Sequence, residues 1–558
     1  MTAVTVGQSP IRVLAVLLSV VLATGMTGCA GKDNPKPEDR ATSSRATTPA
    51  DALVVDVGRV VRPVNKDLLG FHGRDTATDL VGTYGDLQPR TVRHVMSQHD
   101  FVDFDCAGAT LSPATVEYFG SWIEAVDAMG ARPILSLSYV PPCYARDGQP
   151  KGPVTDTVGY RAFLDQLFDA LVVKREAAGD VPLRYFELWN EPDIPLNPGD
   201  PSNGHGYVGT VEEFVATNLP SLAGAILAAE ETSGVDIEVG TPAAFSPWPF
   251  ERYAPTVAGL LEKVNGFPAD EAATIATGID TAFGAGTSER VLTNGGLTWP
   301  EAVIAAAKEL GLEIDFVSVH LYPNNPLQGV TFPEPDAPAL LQGRNPFTNP
   351  DDFATLVQEW TELTGERELV LSEWALSAGN DDRMSNCEGA AFNAAALSVM
   401  QDAGLDRALY LSRPSGVTDA GFRAWAALPA NQVKTTIPRS RATATWVTAA
   451  SDDDRTTVLV SQWHTDLADA ETTRLPVVVD GLTDGTYKVT VEWVGDDKPG
   501  PPGRKVLTAT ATDGRLTIDP IALAGQSVTR IDITRKASPL PPLTEATEPG
   551  PGPGCLPG

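Results

Sequence analysis

Between residue 52 and about residue 440, short apolar runs alternate with longer stretches in which apolar positions recur every three or four residues. The short runs read as buried strands and the longer ones as amphipathic helices. Strands are predicted over Leu68–His72, Thr91–Met96, Arg132–Ser138, Leu183–Leu188, Ile237–Gly240, Phe316–His320, Leu369–Leu371 and Ala408–Leu411. The clearest helical patterns are Val116–Met129, Val158–Ala177, Val211–Glu231, Trp299–Leu310, Asp351–Thr364 and Glu388–Ala403. Strand–helix alternation repeated eight times predicts an α/β chain closed into a parallel (β/α)8 barrel. The other candidate is a doubly wound open sheet, but no Gly-x-Gly-x-x-Gly follows the first strand and no phosphate loop appears. The connection Thr241–Leu297 is long and rich in Gly, Pro, Phe and Trp. After a barrel strand such a segment reads as a lid or a substrate wall.

From about Arg441 the helical period disappears. Ala442–Val447, Thr457–Trp463, Arg474–Val479, Thr486–Trp493, Lys505–Thr512, Leu516–Asp519 and Ser527–Thr534 read as short strands, with turn signals at Asp484-Gly485 and Asp513-Gly514. This pattern predicts a C-terminal all-β sandwich. Ala52–Val61 alternates in the same way, so 51–62 is open to joining that sandwich ahead of the barrel.

The N-terminus reads as an address. Arg12 precedes the apolar run Val13–Ala23, which is too short to span a bilayer and fits a signal-peptide core. Small residues then lead to Cys29, a pattern that resembles a bacterial lipobox. The expected organisation is therefore a lipoprotein signal peptide at 1–28 and a polar tether at 29–50. The barrel follows at 51–440, the sandwich at 441–536 and a Pro/Gly-rich tail at 537–558. Cys29 would carry the lipid and anchor an exported chain to the cell membrane on its extracytoplasmic side. The tail is expected to be disordered or draped over the surface.

Charge narrows the partners. With 41 basic and 72 acidic residues the chain carries a formal charge of −31, spread along its length. Such a surface repels phosphate backbones, so nucleic acid is not an expected partner. The six His show no metal-ligand spacing on a helix and no Cys-x-x-Cys occurs, so neither a metal nor another cofactor is expected. In an oxidising compartment, Cys106 and Cys143 are a candidate disulfide pair.

The chemistry is concentrated in two segments. Tyr185-Phe186-Glu187-Leu188-Trp189-Asn190-Glu191-Pro192-Asp193 places Asn190 and Glu191 where the fourth strand ends. Leu369-Val370-Leu371-Ser372-Glu373-Trp374 ends the seventh strand in a second carboxylate. In a barrel both ends lie on the active-site face, where two Glu can face each other across the mouth.

Phe186 to Asp193, together with Asp315-Phe316-Val317-Ser318-Val319-His320-Leu321-Tyr322-Pro323, resembles glycoside hydrolase family 39, in clan A. The resemblance spans roughly residues 52–535. That family pairs a barrel with a β-sandwich and includes β-xylosidases and α-L-iduronidases. It implies a retaining glycosidase that needs no cofactor, with a carbohydrate substrate, exo action and a pentose-type sugar. Glu191 would be the acid/base and Glu373 the nucleophile, with the two carboxyl groups about 5–5.5 Å apart. Asn190 would bond the sugar 2-hydroxyl and Tyr322 would donate to Glu373, with His320 lining the same pocket. Trp189, Trp374 and Tyr139 would offer ring faces to sugars or pack the barrel. Two departures surround the sugar site. The family's Arg and His-Gly pair near strand two aligns here with either Arg93 or His99, and strand eight ends in Arg413 instead of an aromatic. The rival readings are an endo-acting glycanase on the same scaffold and a non-catalytic carbohydrate-binding surface lipoprotein.

Overall fold

The computed structural model describes residues 48–49, 51–73, 77–98, 110–194, 206–245, 258–259, 262, 268–283, 298–324, 348–378, 382–411, 416–438, 444–465, 472–495, 503–535 and 540–543. The first strand, β1 (Leu53–Pro63), leads into β2 (Gly70–His72), β3 (Thr91–Ser97), β4 (Arg132–Ser138), β5 (Tyr185–Glu187), β6 (Glu238–Gly240), β7 (Phe316–Leu321), β8 (Glu368–Trp374) and β9 (Arg407–Tyr410). Strands β2 to β9 pair in sequence order, all parallel, and β9 closes back onto β2 through Gly70–Leu409 and Phe71–Tyr410. The chain therefore forms the closed eight-stranded parallel barrel that its pattern predicts.

Each barrel strand has two buried faces. The outer face joins the main core against the helices, with Phe71, Val92, Leu135, Phe186, Val239, Val317 and Leu371. The inner face is filled lower down by a separate apolar plug of Ile134, Phe316, Val370 and Leu409. Gly240 makes room for that plug, because a Cβ there would come within 2.0 Å of the Phe316 ring.

The helices also follow their periodicity, with two local changes. The stretch expected at Val158–Ala177 runs as Thr157–Phe168, a π-turn at Asp169–Val173, and Lys174–Ala178. The stretch expected at Val211–Glu231 is split into Val211–Thr217 and Leu219–Ser233. Pro220 explains the break: it has no N–H to continue a helix, and it sits in the first turn of the second piece, where none is needed.

Beyond the barrel come β10 (Asn431–Thr436), β11 (Thr445–Ser451), β12 (Arg455–Gln462), β13 (Thr473–Asp480), β14 (Gly485–Gly495), β15 (Gly503–Ala511), β16 (Arg515–Leu523) and β17 (Ser527–Thr534). With β1 they make one nine-stranded sheet in the order β15-β14-β17-β12-β11-β10-β1-β13-β16. It is antiparallel except where β1 runs parallel to β13. The sheet curls until its edge strands β15 and β16 meet, enclosing Val55, Val447, Val460, Val477, Val489, Leu516 and Ile531. Leu53–Pro63 lies in this sheet, and so does Asn431–Thr436, on the N-terminal side of residue 440.

Helix Cys387–Ala403 joins the two parts. It is buried on all sides from Cys387 to Gln401, packing against its barrel neighbours on one face and β11, β12 and β17 on the other. The Ser461 hydroxyl donates to the Ala391 carbonyl at 2.6 Å across that contact. Cys387 is disulfide-bonded, whereas the expected Cys106 lies outside the described residues. Of the C-terminal tail, 540–543 are described, and Leu543 is buried against the core.

Candidate active site

The site is built on the inner face of the barrel, above the apolar plug. Parallel ladders keep paired residues on one face, so the residue two beyond an inward-facing one also points inward. On β3, Arg93 pairs with the plug residue Ile134 of β4 and with His72 of β2. On β5, Glu187 lies two residues past Tyr185, which packs on the plug.

On β8 the same rule would send Glu373 outward, because inward-facing Val370 lies three residues before it. A β-bulge corrects this. Val319 pairs with Leu371, but the next residue of β7, His320, pairs with Glu373, so Ser372 is the extra residue. Bulges re-aim side chains beside active sites, and this one turns Glu373 into the barrel alongside His320.

Glu191 is delivered differently. β5 ends at Glu187, and Leu188 and Trp189 both pack outward into the helix-side core. The chain then turns sharply, with Glu191 in the left-handed region at φ 50°. That conformation is unfavourable for a residue with a Cβ, and it is pinned by backbone bonds. Ala243 N donates to Trp189 O at 2.8 Å, and Glu191 N donates to Ala243 O at 2.9 Å. The Ser138 hydroxyl accepts from Asn190 N at 3.0 Å.

These elements bring the groups together. One carboxylate oxygen of Glu191, one of Glu373 and a ring nitrogen of His320 all lie within 4.8 Å of one another. Tyr322 donates its hydroxyl to Glu373 Oε2 at 2.6 Å, and Arg93 Nη1 donates to Glu373 Oε1 at 2.7 Å. His72 Nε2 lies 3.4 Å from the same Oε1. His320 Nδ1 is 2.7 Å from Glu191 Oε1. Arg93 Nη2 donates to Asn190 Oδ1 at 2.8 Å, which fixes the amide so that its NH2 faces Glu191 Oε2 at 3.4 Å. Both catalytic-candidate carboxyls keep only 8% of their side-chain surface exposed.

The surrounding charges act strongly on Glu373. Burial alone would raise the Glu373 carboxyl, but His320, His72, Arg93 and the Tyr322 hydroxyl together outweigh it and hold the group well below the usual carboxylate range. Burial and the nearby carboxylates push the Tyr322 hydroxyl well above its ordinary value, so it stays a donor. Burial would lower His320, but Glu373 and Glu191 raise it.

The Glu191, His320 and Glu373 donor atoms are close enough to hold a metal ion. Each is already engaged in hydrogen bonds, however, and the Arg93 guanidinium touches Glu373 from one side. The set as built is suited to proton and carbon chemistry more than to a divalent cation.

Two sequence-based assignments change. Trp189 and Trp374 are fully buried. Trp189 stands edge-on to Tyr139, Tyr207 and Phe214, and Trp374 packs edge-on against Phe353 and Tyr410. They are core residues under the site, not platforms for a sugar. Tyr139 is half-buried, carries a positive φ of 59° and has the Lys151 ammonium 5.6 Å over its ring. His99, Arg413 and Cys29 lie outside the described residues, as does most of Thr241–Leu297 apart from 241–245, 258–259, 262 and 268–283, which holds helix Ala269–Phe283. Of the two alternatives at strand two, Arg93 is described and lies in the site. Glu187 and His72 were not singled out from sequence. An Arg and a Glu inside otherwise apolar barrel strands were the available signal.

No family model and no curated protein sequence matches this chain. Solved structures do. A glucosidase from Croceicoccus marinus superimposes with a TM-score of 0.58 at 15% identity, covering 87% of this chain and 99% of its own. A GH39 enzyme from Xanthomonas axonopodis pv. citri gives 0.56 at 15% identity, over 88% and 99%. CelM2, a bifunctional glucanase-xylanase from a metagenome library, gives 0.53 at 15% identity, over 87% and 99%. The barrel-plus-sheet architecture is thus shared along nearly the whole of these chains. At such identity the likeness is one of fold.

Proposed function

We propose that this protein is a retaining glycoside hydrolase. The observation that carries the reading is the carboxylate pair. A Glu191 oxygen and a Glu373 oxygen lie within 4.8 Å of each other on the active-site face of the barrel. That spacing suits direct attack on a sugar carbon and is too short for the 6.5–9.5 Å gap that an interposed water requires in inverting enzymes. The glycosidase fold neighbours support the same reading.

In the first step Glu373, held ionised by Arg93, His72 and Tyr322, attacks the anomeric carbon. The glycosidic C–O bond breaks and Glu191 gives its proton to the departing oxygen. A glycosyl ester on Glu373 remains. In the second step Glu191 takes a proton from water, the water oxygen bonds to the anomeric carbon, and the Glu373 ester bond breaks. The amide of Asn190, bonded to Arg93, supports a role donating its NH2 to the sugar hydroxyl next to the anomeric centre. His320, bonded to Glu191 Oε1, orients the acid/base between the two steps. We assign a pentose-type glycoside and exo action on the motif resemblance, and lipid anchoring at Cys29 on the N-terminal pattern.

The test is a panel of 4-nitrophenyl glycosides, pentosides included, with NMR of the first-formed anomer. The reading predicts turnover with retained configuration, abolished in Glu373→Gln. An inverted first product, or a Glu373→Gln variant as active as the parent, contradicts it.

A further inference from the structure

Glu187 has no part in the two steps above, yet it is completely buried beside them. Its Oε1 accepts both from Arg93 Nε at 3.1 Å and from Arg93 Nη2 in a short contact. Its Oε2 accepts no hydrogen bond among the described residues. A buried carboxylate held by one guanidinium is not an economical way to fill a core, since an apolar side chain of similar volume often does as well or better. The placement therefore points to what Glu187 does for Arg93.

A guanidinium left alone with a carboxylate tends to grip it with two parallel N–H bonds. Here that grip would fall on the nucleophile and tie up both of its oxygens. Glu187 prevents it by occupying the Nε/Nη2 edge of Arg93. Only Nη1 is left for Glu373 Oε1, while Nη2 also reaches Asn190 Oδ1. Tyr322 can then hold Oε2 separately. Glu187 also offsets part of the charge that Arg93 places on Glu373, so the nucleophile stays ionised without losing all its basicity.

We propose that Glu187 is a positioning residue that acts through Arg93, setting how one guanidinium is shared between the nucleophile Glu373 and Asn190. This rests on the hydrolase reading. Its mark is a split between the two chemical steps. A less basic Glu373 attacks more slowly but leaves its ester more readily.

The test compares wild type, Glu187→Gln and Glu187→Leu on 4-nitrophenyl and 2,4-dinitrophenyl glycosides of the sugar that the wild type accepts. Glu187→Gln keeps the shape and loses the charge. Its kcat/KM should fall about 100-fold, the loss that a slight misplacement of a reacting group can produce. Its kcat on the dinitrophenyl glycoside, where loss of the enzyme ester limits the rate, should change by much less. Glu187→Leu added to Arg93→Met should leave kcat/KM where Arg93→Met alone puts it. It should also raise the melting temperature of that variant, because an unpaired buried carboxylate is removed.

The inference is overturned if Glu187→Gln keeps wild-type kcat/KM. Equal losses in kcat and kcat/KM, or additive losses in the Arg93→Met background, also overturn it, since a merely structural role would give them. If the wild type turns over no glycoside, the hydrolase reading fails instead. The melting comparison still decides whether Glu187 serves Arg93, and an unchanged or lower melting temperature in the double variant counts against it.

Discussion

Tyr322→Phe isolates the contribution of one hydroxyl. The Tyr322 O–H donates to Glu373 Oε2 at 2.6 Å, and both side chains are almost wholly buried, so solvent does little to screen the bond. A hydrogen bond to a charged group contributes about 1.5–3 kcal/mol. At 1.36 kcal/mol per unit, its removal should raise the Glu373 pKa by about 1–2 units. Glu373 sits below its unfolded value in the native protein. Its stabilising contribution is therefore complete above the unfolded carboxylate pKa of about 4.3 and is lost as pH falls through the folded value. The variant should thus be less stable than wild type by about 1.5–3 kcal/mol at pH 7; because both share one unfolded value, the gap should hold through pH 5 and close only as pH falls through the variant's folded Glu373 value, well below the usual carboxylate range. Chemical denaturation at pH 7 and pH 5, continued down the acid limb toward pH 2, measures both features. Turnover should fall as well, and more steeply in the second step, because a more basic Glu373 is a poorer leaving group. A deficit already lost by pH 5 would refute the reasoning, and so would no deficit at pH 7.

Other variants test neighbouring parts of the site. Glu191→Ala should cut kcat/KM by about 10²–10⁴-fold on glycosides with poor leaving groups, and far less on dinitrophenyl glycosides, which depart without a proton. An equal loss on both classes would remove the acid assignment. His320 is raised above its ordinary value by the two carboxylates. Its stabilising contribution is therefore present below about pH 6.5 and is lost as pH rises through the higher folded value. Denaturation at pH 6 and pH 9 should show a drop in wild type that is smaller in His320→Gln, and equal drops in both would contradict this.

Much of this architecture was legible in the chain. Arg132–Ser138 is a strand at the predicted residues, and the other seven barrel strands lie within a few residues of their predicted ends, because a strand buried on both faces reads as a continuous apolar run. Asn190 and Glu191 were found through a motif that also ends such a run. The signals that failed were those that depend on neighbours. Nothing in Leu371-Ser372-Glu373 announces that Ser372 is bulged, yet the inward aim of Glu373 depends on it. Trp189 and Trp374 look like sugar platforms because they flank carboxylates, and only the packing of Phe214 and Phe353 against them places them in the core. Glu187 was hidden within the motif that named its neighbours. Its role is defined by Arg93, on a strand far away in sequence.

The two-carboxylate account is tested most directly by trapping its covalent intermediate. An activated 2-deoxy-2-fluoro glycoside slows both steps while its good leaving group favours the first, so the enzyme ester should accumulate. Peptide mass spectrometry should then find one glycosyl unit on the peptide containing Glu373, on that side chain. A glycosyl group on any other residue would contradict the assignment, as would hydrolysis of the probe with inversion and no enzyme-bound sugar.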